Sequence, residues 1–340
     1  MKAVAYRQSL PISEEQSLID LELPDPRPTG RDLLIEVKAI SVNPVDTKVR
    51  RNTPPAEGET KVLGWDASGV VQAVGPDVTL FKPGDTVWYA GSIARPGTNS
   101  ELHLVDERIV GRKPESLSHA EAAALPLTSI TAWELLFDRL GVLPGRSQMN
   151  QSLLVIGAAG GVGSILIQLA RRLTGLTVIG TASRPETTEW VRSLGAHHVI
   201  DHSKPLADEL RKTGLSNVTH VASLTHTGEH FADIVEVLAP QGKLALIDDP
   251  DPAQINVLLL KRKSISLHWE LMFTRSLFDT PDILAQHRLL NEMADLVDAG
   301  LIRTTFSEHL GTINAHNLKR AHALIESGTT QGKIVLEGFD

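Results

Sequence analysis

Small residues at fixed spacing supply the first chemistry that can be read in this chain. The run Ser152-Leu-Leu-Val-Ile-Gly-Ala-Ala-Gly-Gly-Val-Gly-Ser164 has an apolar stretch, a glycine-rich turn and the start of an amphipathic pattern. Within it, Ala158, Gly160, Gly161, Val162 and Gly163 are candidates to bind a dinucleotide. Side chains this small let the backbone approach a pyrophosphate, and a helix starting there offers it free amides and a partial positive charge. The strand that follows runs Val178-Ile-Gly-Thr-Ala-Ser-Arg184 and ends without the carboxylate that would accept from ribose hydroxyls. Ser183 and Arg184 offer a hydroxyl and a guanidinium instead, and His202, just past the third strand, can join them. A charge-assisted contact of that kind is worth about 1.5–3 kcal/mol, so these residues predict NADPH as the cofactor.

Metal chemistry is not expected. The chain has no cysteine, and its 13 histidines are scattered. The pair His197-His198 is adjacent in sequence, so it does not share one helical face as zinc ligands often do. The absence of thiols also rules out disulfides, so redox chemistry does not assign a compartment.

The elements that must position these groups follow from pattern. At 340 residues the chain predicts two domains. The first 120 or so residues hold short β-branched runs punctuated by Gly and Pro, among them Leu33–Val42, Gly69–Gly75 and Thr86–Tyr89, and predict a β-rich, barrel-like fold. Ser118-His-Ala-Glu121 is a capping box, and an Ala- and Leu-rich stretch follows it to about Leu140. Beyond Ser152, strands and helices alternate. Strands are expected at Ser152–Ile156, Thr177–Thr181, His198–Ile200, Val218–Ala222, Lys243–Ile247 and Ile265–His268, which implies a doubly wound parallel sheet. Helices around Pro281–Ala299 and Asn314–Ser327 precede a last strand at Gly332–Leu336, and this tail is expected to return to the N-terminal domain.

A net charge of −8 and the lack of a basic block argue against nucleic-acid and membrane-surface binding. The doublet Arg50-Arg51 and the run Lys261-Arg262-Lys263 read as solvated turns. There is neither an apolar targeting core at the N-terminus nor a membrane-length apolar window, so a cytoplasmic location is expected.

As an ordered set, the motifs resemble the medium-chain dehydrogenase/reductase superfamily, and in particular its zinc-free, zeta-crystallin-like quinone oxidoreductases. The set comprises Val42-Asn-Pro-Val-Asp46 with Arg50, Gly64-Trp-Asp-Ala-Ser-Gly-Val-Val71, Pro83-Gly-Asp85, Leu125-Pro-Leu-Thr128 with Ala132-Trp133, the glycine-rich turn and Gly332-Lys333. The segment His268-Trp-Glu-Leu-Met-Phe-Thr-Arg275 resembles a branch often labelled zinc-type alcohol dehydrogenase-like. The resemblance implies an α/β protein: a Rossmann doubly wound parallel sheet over residues 128–268 and a GroES-like substrate domain from residues 1–127 and 269–340. Zinc enzymes of the superfamily have a cysteine where this chain has Asn43, and Gly-His-Glu where it has Gly64-Trp65-Asp66. Their structural-zinc lobe is reduced here to a loop near Ile93–Ser100. Relative to the quinone reductases, Lys48 stands where a tyrosine is usual, and a second tyrosine near Pro54 is missing.

The same resemblance implies roles. Asn43 would donate to a quinone or enone oxygen, Thr128 would touch the nicotinamide, and Lys48 and Tyr89 are candidates for a second donor or proton relay. Lys333 would join the cofactor-binding residues. Trp65, Trp88, Trp269 and Phe273 are candidate walls for a flat substrate, with Asp46 and Asp66 in supporting hydrogen bonds. A homodimer through sheet edges is implied, with Leu258–His268 as the contact strand. The activity expected is transfer of hydride from NADPH to quinones or α,β-unsaturated carbonyls. The alternatives are a zinc-type alcohol dehydrogenase with an atypical metal site, and an NADPH-binding protein with a structural or regulatory role.

Overall fold

The computed structural model describes residues 1–339. The chain forms two compact units, Met1–Ile130 with Phe273–Asp340, and Thr131–Met272.

The first unit is organised by the strand Asp32–Val42. Leu33, Ile35, Val37 and Ala39 are buried along it at a period of two, as a half-buried strand requires. One side pairs antiparallel with Asp66–Val74. The other pairs with Leu102–Asp106 in its first half and with the C-terminal strand Lys333–Glu337 in its second. Thr86–Ala90, Val110–Arg112 and Phe306–His309 complete a seven-stranded sheet, beside a small sheet of Lys2–Tyr6, Ile19–Glu22 and Lys61–Val62. The capping box at Ser118 and Glu121 forms as its spacing predicts. The short helix behind it packs Ala120, Ala123 and Ala124 onto Ala39 and Val335, where only small side chains allow so close an approach.

The second unit is a six-stranded parallel sheet. Its order is His198–Ile200, Thr177–Thr181, Ser152–Ile156, Val218–Ser223, Leu238–Leu246, Ser266–Trp269. Chain direction across the sheet reverses between Ser152–Ile156 and Val218–Ser223, the switch point where α/β sheets bind ligands at the carboxyl ends of their strands. Leu154, Ile179, Val221, Phe231 and Leu244 form the centre of its core.

Several expectations change. Leu258–Lys261 is a helical turn, and only Ser266–Trp269 is strand. The Asn256 side chain accepts the Leu258 N–H at 3.1 Å and starts the turn. Leu260 is buried while Leu258 and Leu259 face out, a helical and not an alternating pattern. The Ala- and Leu-rich stretch after Ser118 forms three pieces, His119–Ala123, Pro126–Trp133 and a π-helical turn, Glu134–Arg139; Pro126 has no N–H to continue the first. Arg50 is not in a solvated turn. It is buried in the helix Pro44–Asn52 and donates to Leu10 O, Glu326 and, at 3.3 Å, His322 Nδ1. Lys263 donates to the carbonyls of Val235, Glu236 and Leu238, which closes the end of the helix Thr227–Val237. No helix among the described residues is long and apolar enough to cross a membrane.

Candidate functional site

Asn43 stands where a strand becomes a helix. It follows Asp32–Val42 and precedes Pro44–Asn52, whose first residue is a proline with no N–H to leave unsatisfied. Asp46, three residues on, accepts the Asn43 backbone N–H at 2.7 Å and fixes the turn. Strand register then brings Asp66 opposite Ser41. Asp66 is fully buried, and both of its oxygens are engaged. Oδ2 accepts from the Ser41 hydroxyl at 2.8 Å, from Asn43 Nδ2 at 2.7 Å and from Lys333 Nζ at 3.2 Å, while Oδ1 accepts the Leu127 N–H at 2.7 Å.

Lys333 opens the C-terminal strand, which pairs with Ala39–Val42. Besides Asp66, its ammonium donates to Val42 O at 3.0 Å and to Asn43 Oδ1. Burial pulls its pKa below the usual lysine value, against the pull of Asp66 and Asp46. Burial likewise pushes Asp46 up to about 7. An ammonium has three protons, and these three acceptors take them all. At 4 % exposure Lys333, expected among the cofactor-binding residues, is part of the hydrogen-bond network around Asn43.

Tyr89, expected as a donor or relay, is fully buried and paired with a histidine. Its hydroxyl lies 2.9 Å from His103 Nδ1, and His103 Nε2 lies 3.0 Å from Pro96 O. A carbonyl only accepts, so Nε2 holds the ring proton and Nδ1 accepts from Tyr89. Burial lowers His103 to about 4, keeping it neutral, and raises Tyr89 above the usual phenol range. Lys48 is half-buried two residues after Asp46, roughly 200° around the helix from it, and so lies off the network's face. Thr128 is buried and donates to Leu125 O at 3.0 Å, leaving its lone pairs as acceptors. Its helix starts beside the Leu127 N–H that Asp66 holds.

The four aromatic residues do not form one wall. Trp65 and Phe273 meet edge to face, with ring centroids 6.0 Å apart, and the Trp65 indole donates to Ser92 O. Trp88 is a fully buried core residue of the sheet. Trp269 is 56 % exposed on the edge strand of the second unit.

In that second unit, Ser152–Ile156 is buried along its whole length and leads into Gly157, whose φ of +80° suits glycine. Gly160 closes the turn onto Gly157 O and caps the helix Gly161–Leu173. A Cβ on Gly163 would lie 2.5 Å from Gly157 O and 2.7 Å from Ala158 Cα, so only glycine lets helix and turn pack. The amides of Gly161, Val162 and Gly163 open this helix and have no intrahelical partners. The strand Thr177–Thr181 supports the turn, its Thr181 hydroxyl accepting the Gly157 N–H at 3.3 Å. Ser183 and Arg184 are exposed at its tip. Ala182 pairs with Ile200, so the register sets them beside Asp201 and His202. His202 is held below its ordinary pKa by burial and by His230, and its Nδ1 has no partner.

Sequence reasoning missed a third cluster. Glu134 and Glu270 are both buried, and Arg139 Nε donates to Glu270 Oε2 at 2.8 Å. Burial and the Glu134 charge push Glu270 up to about 9. Glu134 sits in a π-turn and Glu270 just past a sheet edge, so no local spacing links them. Ser41 and the Leu127 N–H were missed for the same reason. The signal that could have found Lys333 was a lone lysine opening an otherwise apolar final strand.

Residues 29–118 match the family described as Alcohol dehydrogenase GroES-like domain, and residues 194–336 the one described as Zinc-binding dehydrogenase. A Zinc-type alcohol dehydrogenase-like protein of Staphylococcus aureus, SAV2186, is 39% identical over 337 residues, covering 99% of each chain. A Rhizobium etli crystal structure, provisionally assigned to the zinc-dependent alcohol dehydrogenases, has a TM-score of 0.95 and 62% identity, covering 100% of this chain and 98% of its own. Escherichia coli quinone oxidoreductase complexed with NADPH has a TM-score of 0.83 and 26% identity, covering 99% of this chain and 100% of its own.

These names raise the question of zinc, and the donor set answers it. Tetrahedral zinc draws lone pairs from thiolate, imidazole or carboxylate groups. The cluster offers two carboxyl groups, Asp66 with the Lys333 ammonium already 3.2 Å from it, and Asp46 holding the Asn43 backbone N–H. The neighbouring Trp65 and Asn43 bring an indole N–H and a carboxamide. Among the described residues, no group of three His, Cys, Asp or Glu is gathered to hold an ion. Zinc does not fit this set. The glycine-rich turn does fit a dinucleotide, since it brings the open amides of Gly161, Val162 and Gly163 to the start of the helix Gly161–Leu173. Near-complete coverage at 39% identity, on two matched domain families, settles the relationship: the chain belongs to the medium-chain dehydrogenase/reductase superfamily of NAD(P)-dependent oxidoreductases, in its zeta-crystallin-like branch.

Proposed function

We propose that this protein is an NADPH-dependent, zinc-independent oxidoreductase acting on quinones or α,β-unsaturated carbonyls. When bound, the dinucleotide supplies a hydride; the chain's own residues do the rest. The amides of Gly161, Val162 and Gly163 hold the pyrophosphate at the helix start. Ser183 and Arg184, with His202 beside them, take the 2′-phosphate at the tip of a strand that itself ends without a carboxylate. Thr128 offers lone pairs to the nicotinamide amide, a role its family position suggests.

As hydride reaches a conjugated acceptor, negative charge grows on the acceptor's oxygen and must meet a positioned donor. Asn43 Nδ2 carries two protons, and one is given to Asp66. The other donates to that oxygen. Conjugation already places the acceptor carbon in an electron-poor system, so a neutral amide serves where an isolated ketone would call for a Lewis acid. The single observation behind this reading is the buried Asn43 carboxamide, with one N–H left over, in a cluster whose donors do not suit zinc. Pairing between two copies through the Ser266–Trp269 edge, with Trp269 and Leu271 exposed there, would give the expected homodimer; light scattering tests it.

The deciding experiment is NADPH oxidation against a panel of quinones, enones, ketones and aldehydes, with and without chelator. Turnover confined to conjugated acceptors and indifferent to chelator is expected. Stoichiometric zinc, lost together with activity on chelation, would overturn the reading. So would tight NADPH binding with no hydride transfer to any acceptor.

A further inference from the structure

Asn43 can work as a donor only if its amide faces the right way, and a carboxamide has no intrinsic preference between its two ends. The geometry points to Lys333 as the positioning residue that sets this orientation; the inference rests on the proposed role of Asn43. Lys333 Nζ has only protons to give. Its contact with Asn43 therefore obliges the carboxamide to turn its oxygen, not its nitrogen, toward the ammonium. Asp66 Oδ2 has only lone pairs to give when ionised, so the Asn43 contact at 2.7 Å must come from nitrogen. The two charges are themselves 3.2 Å apart, and Val42 O at 3.0 Å holds the ammonium on the strand end that Asn43 follows. A donor-only group on one side and an acceptor-only group on the other thus key the amide, leaving the second Nδ2 proton as its outward donor.

The pair also balances charge. With Lys333 in place, the fully buried Asp66 is compensated inside the protein. Asp66 in turn holds the Leu127 N–H at 2.7 Å, at the start of the helix bearing Thr128. Lys333 lies 290 residues from Asn43 in sequence and acts on it only through the sheet pairing of the last strand.

The test uses the full-length protein and two readouts. The first is the side-chain amide signal of Asn43, in protein labelled with 15N-asparagine and assigned by its loss in Asn43→Ala. In wild type it should be a resolved pair with one proton shifted by the Asp66 contact. In Lys333→Met it should broaden and shift, since only Asp66 still orients the amide and, left uncompensated, it takes up a proton and can no longer act as acceptor alone. Lys333→Met leaves a buried carboxylate uncompensated, so Lys333→Met/Asp66→Asn, which removes both charges, is measured beside it and should lose the same ordered signal.

The second readout is steady-state kinetics with a quinone and NADPH. Lys333→Met/Asp66→Asn should lower kcat roughly 10-fold to 100-fold, in the range of removing one oriented donor. The NADPH dissociation constant should not move. Lys333→Met placed in the Asn43→Ala background should cost nothing further, because Lys333 acts through Asn43. An unchanged Asn43 signal, additive losses, or weakened NADPH binding as the main effect of Lys333→Met would overturn the inference. If the wild type reduces no conjugated acceptor, the proposed function falls, and the amide signal still decides the role of Lys333.

Discussion

Replacing Glu270 with glutamine should make the protein more resistant to rising pH. Glu134 and Glu270 are buried together around Arg139, whose Nη2 lies 3.6 Å from Glu134 Oε2 and whose Nε donates to Glu270 Oε2 at 2.8 Å. A single proton held on Glu270 lets the two carboxyl groups share a hydrogen bond, and burial with the Glu134 charge raises the Glu270 pKa to about 9 from the ordinary glutamate value of 4.5. The sign follows from proton counting. Below about 4.5 both folded and unfolded chains are protonated at this site. Between 4.5 and 9 the folded chain keeps a proton that the unfolded chain releases, so stability falls as pH rises; above 9 the dependence ends.

One proton of difference is a slope of about 1.4 kcal/mol per pH unit. From pH 6 to 8 the site can therefore remove up to about 2.7 kcal/mol from the wild type. Glu270→Gln keeps the carbonyl for Arg139 and places a permanent N–H toward Glu134, so it lacks this slope. At about 2–4 °C per kcal/mol for a unit of this size, the gap between the two melting temperatures should widen by roughly 5–10 °C over those two pH units. Calorimetric melts of both proteins at half-unit pH steps measure it directly. Parallel curves, or a glutamine variant that is weaker by a constant amount at every pH, would refute the shared-proton argument.

Other expectations follow from the same geometry. Arg184→Ala should weaken NADPH binding by about tenfold or more, the size of one charge-assisted contact, and leave NADH unaffected in fluorescence titration; equal losses for both would remove Arg184 from the 2′-phosphate. Gly163→Ala should abolish binding of either dinucleotide, because its Cβ would lie 2.5 Å from Gly157 O, and isothermal titration with a circular-dichroism control would show it. Tyr89→Phe should leave kcat within about twofold while costing about 1–3 kcal/mol of stability, since it strips the donor from buried His103 Nδ1. A large fall in its kcat would return Tyr89 to the reaction.

Most of the nucleotide half was legible in the residues alone. The turn, its strand and its helix lie within about a dozen consecutive positions, and the backbone conformations they need are set by which residues are glycine. The alternation of strand and helix from Ser152 onward was legible for a similar reason, since burial period is a local property. Leu258–Lys261 went the other way because an apolar run satisfies a strand or a helical turn equally until its neighbours choose which residue to bury. The π-turn at Glu134–Arg139 carried no pattern that marks it.

Residue identity by itself removed the thiolate ligands: the chain has no cysteine, and Asn43 and Trp65 stand where the resemblance puts a thiolate and an imidazole, however the chain folds. Tertiary structure alone decided which polar groups meet. Lys333 reaches Asp66 across 267 positions, Arg50 is buried against a helix 272 positions away, and Tyr89 gives its proton to His103 instead of to a substrate. Conformational preference is encoded over a few neighbouring residues, whereas hydrogen-bond partners are assigned by strand register and long-range pairing, which no short stretch of sequence contains.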